Sequence, residues 1–215
     1  MHTQLANSNV VITAEQFNPS IVREMWLVRT GLVNEGEFVE GCVFADTIAH
    51  VRTQEFELMV IPQRAQFSMN VEPERQQQQI CDKLGLLVAR LPETPYRALG
   101  FNLAWHLAPE TSVEDLSRRL FSVPDSPVHR FFDVPNGRFG SYLSKDTLGF
   151  RLKLTALPIF VDHPGQERTH LIAFSFNYHH DLPERGDAVP EILEMLHRWD
   201  DAVAESSQIV NSVRE

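Results

Sequence analysis

Apolar and polar positions alternate along most of the chain, and this alternation predicts strands. Between positions 169 and 181 the even positions carry Ile172, Phe174, Phe176 and Tyr178, while the odd positions are mostly polar. Because successive side chains of a strand point to opposite faces, one face of this segment is expected to be buried and the other solvated. The other predicted strands are 10–17, 39–51, 56–60, 67–71, 96–107, 128–134, 138–143 and 148–161.

Apolar residues recur at helical spacing in two longer segments. One segment begins at Pro73, and the other begins at Pro190 near the C-terminus. Proline is favoured in the first turn of a helix, and spacings of three and four residues place side chains on one face. Shorter helices are expected after Asn18 and after Thr111 or Ser112. The apolar stripes of the two longer helices are Ile80, Leu84, Leu87 and Leu91, and Ile192, Leu196, Trp199 and Val203.

These elements predict an α+β fold in which antiparallel sheet is covered by the two longer helices. The expected organisation is an N-terminal half, 1–108, and a C-terminal half, 109–215, packed as one compact unit. Segments 99–110 and 174–184 are similar, which fits either two related ferredoxin-like halves or strand ends that merely look alike. The predicted core includes Phe56, Leu58, Leu84, Leu87, Phe101, Leu103, Phe174, Phe176, Leu196 and Trp199.

Composition is that of an ordinary globular domain, with 43% hydrophobic and 22% charged residues among 215. Cys42 and Cys81 lie far apart and form no C-x-x-C, so neither a disulfide framework nor a cysteine zinc site is indicated. The first residues lack the pattern of a signal peptide, and no apolar run is long enough to cross a membrane. A reduced, cytoplasmic setting without membrane contact is therefore expected.

Charge is distributed unevenly along the chain. The formal net charge is −10, but segment 116–155 carries +4, which leaves −14 for the rest. An acidic chain is disfavoured as a general nucleic-acid binder, since phosphate contacts need clustered cations. The basic segment instead predicts an interface with an acidic protein surface or with another copy of the chain. Its candidate interface residues are Arg118, Arg119, Arg130, Arg138, Arg151 and Lys153.

The stretch FNYHHDLPE, 176–184, has the highest density of potential ligand side chains. Strand parity places His179 and Asp181 on the polar face, whereas His180 ends the buried row as a half-buried, hydrogen-bonded side chain. A carboxylate can orient an imidazole for acid–base chemistry or for metal binding, although exposed strand ends often carry such pairs without function.

A second strand could complete this site. On 96–107 the polar face carries Asn102 and His106, so adjacency of the two strands would unite them with Asn177, His179 and Asp181. Such a patch could hold a divalent metal or a small polar ligand. Parity alone does not establish that adjacency.

No catalytic motif is present: the sequence lacks G-x-S-x-G, the phosphate-binding P-loop and H-E-x-x-H. The favoured hypothesis is a non-enzymatic protein-interaction role, either as an oligomer or as one subunit of a bacterial cytoplasmic complex, without a cofactor. The alternative is a metal-dependent enzyme or polar-ligand binder that uses His106, His179 and Asp181. The third is single-stranded nucleic-acid binding through the basic and aromatic residues of 116–155.

Overall fold

One antiparallel sheet organises the protein. A computed structural model describes residues 1–162, 168–183 and 187–213, and within them nine strands pair in the order β2-β3-β4-β5-β1-β6-β9-β8-β7. The strands are β1 (His2–Ala14), β2 (Val43–Phe44), β3 (Ala49–Arg52), β4 (Phe56–Ile61), β5 (Arg64–Met69), β6 (Tyr96–Ala108), β7 (Ser141–Thr147), β8 (Phe150–Val161) and β9 (Thr169–Asp181).

Helices pack against one face of this sheet, which is called the helical face below. Trp199 stacks edge-on against Phe101 of β6 at 5.3 Å, and Phe121 packs against Phe174 of β9. The helices are α1 (Glu24–Thr30), α2 (Pro73–Gln79), α3 (Gly85–Arg90), α4 (Val113–Phe121), α5 (Ala188–Leu196) and α6 (Trp199–Asn211), with a π-helical turn at Ile80–Leu84 and 3-10 turns at Pro19–Ile21, Glu35–Glu37 and His129–Phe131. None of the described helices is long and apolar enough to cross a membrane.

The core lies between the sheet and these helices. All ten residues predicted for the core are buried, so the parity assignment of the strands is confirmed. Phe101 lies at its centre, 4.9 Å from the ring of Phe150 and in contact with Trp199. The opposite side of the sheet, called the open face below, carries polar side chains such as Asn102 and Asn177.

The predicted architecture is wrong in its arrangement, although an antiparallel sheet with helices is present. The N-terminal strand β1 lies inside the sheet and pairs with both β5 and β6, while β6 also pairs with β9. The sheet is therefore continuous, and it is not covered by two longer helices as two ferredoxin-like halves would require. The division at 108/109 stays a prediction.

The C-terminal helix shows why helical spacing misled the sequence analysis. The α-helical hydrogen-bond pattern is interrupted by a turn at His197 and Arg198, so α5 and α6 are separate. Leu196 and Trp199 flank this break and are both buried. Leu196 of α5 lies beside Gly85 of α3, whereas Trp199 of α6 packs on Phe101 of β6. The spacing of buried positions therefore continues across the turn that separates the two helices.

Two strand predictions also need correction. Segment 128–134 contains the 3-10 turn His129–Phe131 instead of a strand. Its apolar side chains are exposed, so their alternation does not mark a face buried against the sheet. Segment 39–51 forms only the short strands β2 and β3. The sequence DHPGQE, 162–167, is typical of a turn, and apart from Asp162 it lies outside the described residues.

The hairpin between β7 and β8 has a two-residue loop at Leu148–Gly149. Both residues have positive φ, 54° and 83°, as a type I′ turn requires. The polar dipeptide Lys145–Asp146 predicts the turn slightly earlier in the chain, but both residues belong to β7. Glycine tolerates this conformation readily, whereas leucine rarely adopts it.

Replacing Phe176 with Ala should lower the free energy of unfolding by about 3–5 kcal/mol, because its ring is buried between the sheet and the helices. Urea denaturation monitored by fluorescence would measure the change. Leu157→Ala is the matched control on the neighbouring strand, since that side chain is exposed and should change stability by no more than about 0.5 kcal/mol. Equal midpoints for Phe176→Ala and the unmodified chain would contradict the burial of Phe176.

Candidate functional site

A row of polar side chains crosses the open face at right angles to the strands. The pairing register aligns one polar residue from each of seven adjacent strands. With adjacent strands about 4.8 Å apart, the row is about 29 Å long. From β4 to β7 its members are Glu57, Ser68, Asn9, Asn102, Asn177, Lys153 and Ser144.

Three asparagines form the middle of this row and are hydrogen-bonded in series. Asn177 Nδ2 donates to Asn102 Oδ1 at 2.9 Å, and Asn102 Nδ2 donates to Asn9 Oδ1 at 2.9 Å. Asparagine is depleted in strands, so three of them side by side are not explained by strand propensity. The amides tie β1, β6 and β9 together through side chains as well as backbone.

A concave site of about 370 Å³ lies beside the asparagine row. Small residues, Ala104 and Ser175, contribute to its lining, while Tyr142 and Lys153 approach from the β7–β8 side. The lining contains one cationic side chain and no carboxylate, so it favours a neutral or anionic ligand. The full lining is Asn7, Asn9, Asn102, Leu103, Ala104, Tyr142, Lys153, Thr155, Ser175, Phe176 and Asn177.

The structure unites only part of the patch predicted from FNYHHDLPE. Strands β6 and β9 are neighbours, and Asn102 pairs directly with Asn177. His179 lies on the same face opposite Gly100, and its Nε2 is 2.9 Å from Asp181 Oδ1.

His106 is separate from this pair. It is opposite Ala173 and lies six positions from Gly100 on β6, which is about 20 Å along the strand. His106 therefore does not join His179 and Asp181 in one site. Any ligand role for these three residues stays a prediction.

A metal centre has little support among the residues whose structure is described. These residues include no group of three or more His, Cys, Asp or Glu side chains that could hold a metal ion. His179 and Asp181 form a two-residue pair, whereas structural zinc sites use four protein ligands and catalytic sites use three. His163, which could approach from a turn, lies outside the described residues.

His180 has a structural environment, as its parity predicted. Its Nδ1 lies 2.8 Å from the backbone oxygen of Gly149, and its Nε2 lies 2.7 Å from Glu191 Oε1. The ring thereby links β9 to the β7–β8 turn and to α5. The side chain is 20% exposed, compared with 38% for His179, so the half-buried, hydrogen-bonded assignment is confirmed.

Sequence analysis missed a contact between Cys81 and His197, which are distant along the chain. Cys81 Sγ lies 3.6 Å from His197 Nδ1, the spacing of a thiol–imidazole pair. Burial raises the pKa of the Cys81 thiol, and the carboxylates of Asp82 and Asp200 raise it further. The thiolate is therefore disfavoured, which argues against a nucleophilic role for this pair.

The six residues of the predicted basic interface lie in three different parts of the structure. Arg151 and Lys153 lie on the open face of β8, where Arg151 Nη1 donates to Asp146 at 3.0 Å. Arg118 and Arg119 belong instead to α4. Arg118 bonds Asp133 and the backbone oxygen of Val134, and its guanidinium lies over Phe139, so it anchors the following segment.

The other two arginines lie over exposed aromatic rings. The guanidinium of Arg130 is 5.1 Å from the ring centre of Phe131, and that of Arg138 is 5.2 Å from Phe160. These contacts place each charge beside an aromatic ring. Arg138 is exposed and the adjacent Phe139 is buried, so the two side chains point apart. The predicted strand 138–143 begins too early, because β7 starts only at Ser141.

Segment 123–143 exposes an unusual number of large apolar side chains. They are Val123, Val128, Phe131, Phe132, Val134, Tyr142 and Leu143. Large apolar side chains exposed in such number within one segment are typical of an interaction surface. The segment leads directly into β7, which is the last strand of the sheet.

No family model matches this chain, and no curated protein matches its sequence. Functional inference therefore depends on the contacts and chemistry described above.

His180→Ala should destabilise the protein by about 1–3 kcal/mol, because Gly149 and Glu191 would lose their partner in a partly buried position. His179→Ala is the matched control, since its ring is more exposed and bonds only the exposed Asp181. Chemical denaturation of both variants tests the assignment, and a larger loss for His179→Ala would reverse it.

Proposed function

We propose that the chain is a non-enzymatic protein-interaction component that self-associates through the free edge of β7. The single observation that carries the proposal is an edge strand of seven residues whose two charged side chains each form an ion pair within the chain. Backbone N–H and C=O groups on the outer side of such a strand are available to another strand.

The two edges of the sheet differ. The edge strand β2 contains only two residues, Val43–Phe44, which is one of the ways in which proteins prevent edge pairing. The edge strand β7 extends over Ser141–Thr147 and pairs only with β8 among the strands of the sheet. It therefore offers a much longer template for strand addition.

Charge does not block this edge. Lys145 Nζ donates to Glu205 of α6 at 2.6 Å, and Asp146 accepts from Arg151 of β8 at 3.0 Å. Solvated charges on an edge strand normally oppose pairing, because an incoming strand would desolvate them. Here both charges already have a counter-ion from the same chain.

Apolar side chains on the same edge would gain from being covered. Tyr142 is 64% exposed and Leu143 is 58% exposed, and parity directs them to opposite faces of the sheet. Phe131 and Phe132 lie exposed in the segment before β7. A partner strand would bury apolar surface on both faces while its backbone bonds to β7.

A second copy of the chain fits this edge. Antiparallel pairing about an axis at Ser144 would place Leu143 beside Lys145 of the other copy, and Tyr142 beside its Asp146. No like charges oppose each other in that register, and most oligomers of one chain are two-fold symmetric. We therefore take the occupant of the β7 edge to be another copy of this protein.

Leu143→Lys should convert the dimer to a monomer, because it places an uncompensated cation on the edge beside Lys145 of the other copy. Light scattering coupled to size-exclusion chromatography measures the mass. Leu157→Lys is the matched control: it adds the same charge at an exposed site on β8, an inner strand, and should leave the dimer intact.

A concentration of about 0.1 mM would fully populate a dimer with a Kd near 1 µM. If the unmodified chain is still monomeric at that concentration, the proposal is overturned. The dependence on salt adds a second readout. Two copies of net charge −10 repel each other, so edge pairing should persist or strengthen with salt. Association driven by the basic segment 116–155 on an acidic partner should instead weaken.

A further inference from the structure

The concave site beside the asparagine row has hydrogen-bonding groups that the protein does not use. Each side-chain amide has two N–H groups, and the series from Asn177 to Asn102 to Asn9 uses one from each of the first two. One N–H therefore remains on Asn177, one on Asn102 and two on Asn9. Ser175 and Thr155 add hydroxyl groups to the same lining.

Charge makes this donor-rich surface selective for anions. Lys153 contributes the one cationic group of the lining, and it forms no ion pair with another side chain in the part of the chain that is described. The neighbouring Arg151 on the same strand and face is paired with Asp146. Lys153 is thus the cation of β8 that is available to a ligand.

The arrangement of the lining separates two kinds of contact. Lys153 and Tyr142 lie at the β7–β8 side, while Asn7 and Asn9 belong to β1 on the other side of Ala104 and Ser175. Lys153 and Asn9 are three strands apart, which is about 14 Å between their backbones. A ligand that spans the site would meet a cation and a ring at one end and amides at the other.

We propose that this site binds a small polyhydroxylated anion, namely a sugar that carries a phosphate or a carboxylate. The anionic group binds the ammonium group of Lys153, and adjacent hydroxyls bind the amides of Asn9, Asn102 and Asn177, which offer donors and acceptors together. The ring of Tyr142 covers the apolar face of the sugar. Binding here does not require self-association through β7.

Side-chain amide NMR signals provide a direct test with four probes: glucose 6-phosphate, glucuronate, glucose and inorganic phosphate. At least one of the two sugar anions should shift the amide signals of Asn9, Asn102 and Asn177. Glucose lacks the anionic group, and inorganic phosphate lacks the sugar hydroxyls. Each should bind at least about tenfold more weakly than the preferred sugar anion. The two sugar anions distinguish a phosphate from a carboxylate as the charged group.

Lys153→Met should weaken binding of the preferred sugar anion by about tenfold or more, because it removes a charge-assisted hydrogen bond and keeps the length of the side chain. Arg151→Met is the matched control on the same strand and face, and it should retain the affinity of the unmodified chain. Asn102→Thr, which suits a strand and so preserves folding, should lose binding because the central amide is gone.

Absence of any shift at these amides with both sugar anions up to about 10 mM, enough to saturate a site with Kd near 1 mM, would overturn the proposal. Equal affinity for glucose and glucose 6-phosphate, or unchanged affinity in Lys153→Met, would overturn the assignment of Lys153 to an anionic group. Light scattering of Lys153→Met should give the mass of the unmodified chain, which separates this site from the β7 interface.

Discussion

The pairing of β6 with β1 on one side and β9 on the other is the contact on which the architecture depends. It joins strands from the N-terminal and C-terminal parts of the chain into one sheet. The same register places Phe101 beneath Trp199 on the helical face and Asn102 between Asn9 and Asn177 on the open face. A slip of one residue would exchange these faces, so burial of the aromatic residues also fixes the polar row.

Local pattern predicted which side of each strand is buried but not which strands are neighbours. The alternation in 169–181 correctly separated Phe176 from Asn177 and His179 from His180, because parity depends only on local geometry. The position of β1 inside the sheet depends on pairing with residues almost one hundred positions away, which periodicity does not encode. For the same reason the sequence did not predict that Asn9 joins Asn102 and Asn177 in one row, because nothing in the local pattern indicates that β1 and β6 are neighbours.

Segment 123–143 illustrates a different limit of prediction from apolar pattern. Its apolar residues predicted a strand at 128–134, yet the chain there forms a 3-10 turn and leaves Phe131 and Phe132 exposed. A pattern of apolar residues does not indicate which surface covers these side chains. That surface need not belong to the same molecule. The exposure of these side chains, in the segment that leads into the edge strand β7, is one basis of the proposed interaction role.

The three bonded asparagines also have a direction. Each amide is oriented by its neighbour, so Asn9 now presents only N–H groups beyond the series while Asn177 presents its carbonyl oxygen toward the β8 side. A ligand that donates a hydrogen bond to Asn9 Oδ1 would favour the opposite orientation of all three amides. Reversing only one amide would instead place two donors or two acceptors against each other. Binding at Asn9 on β1 would then determine whether Asn177 on β9 presents a hydrogen-bond donor or an acceptor toward β8. The change would cross three strands without any movement of the backbone.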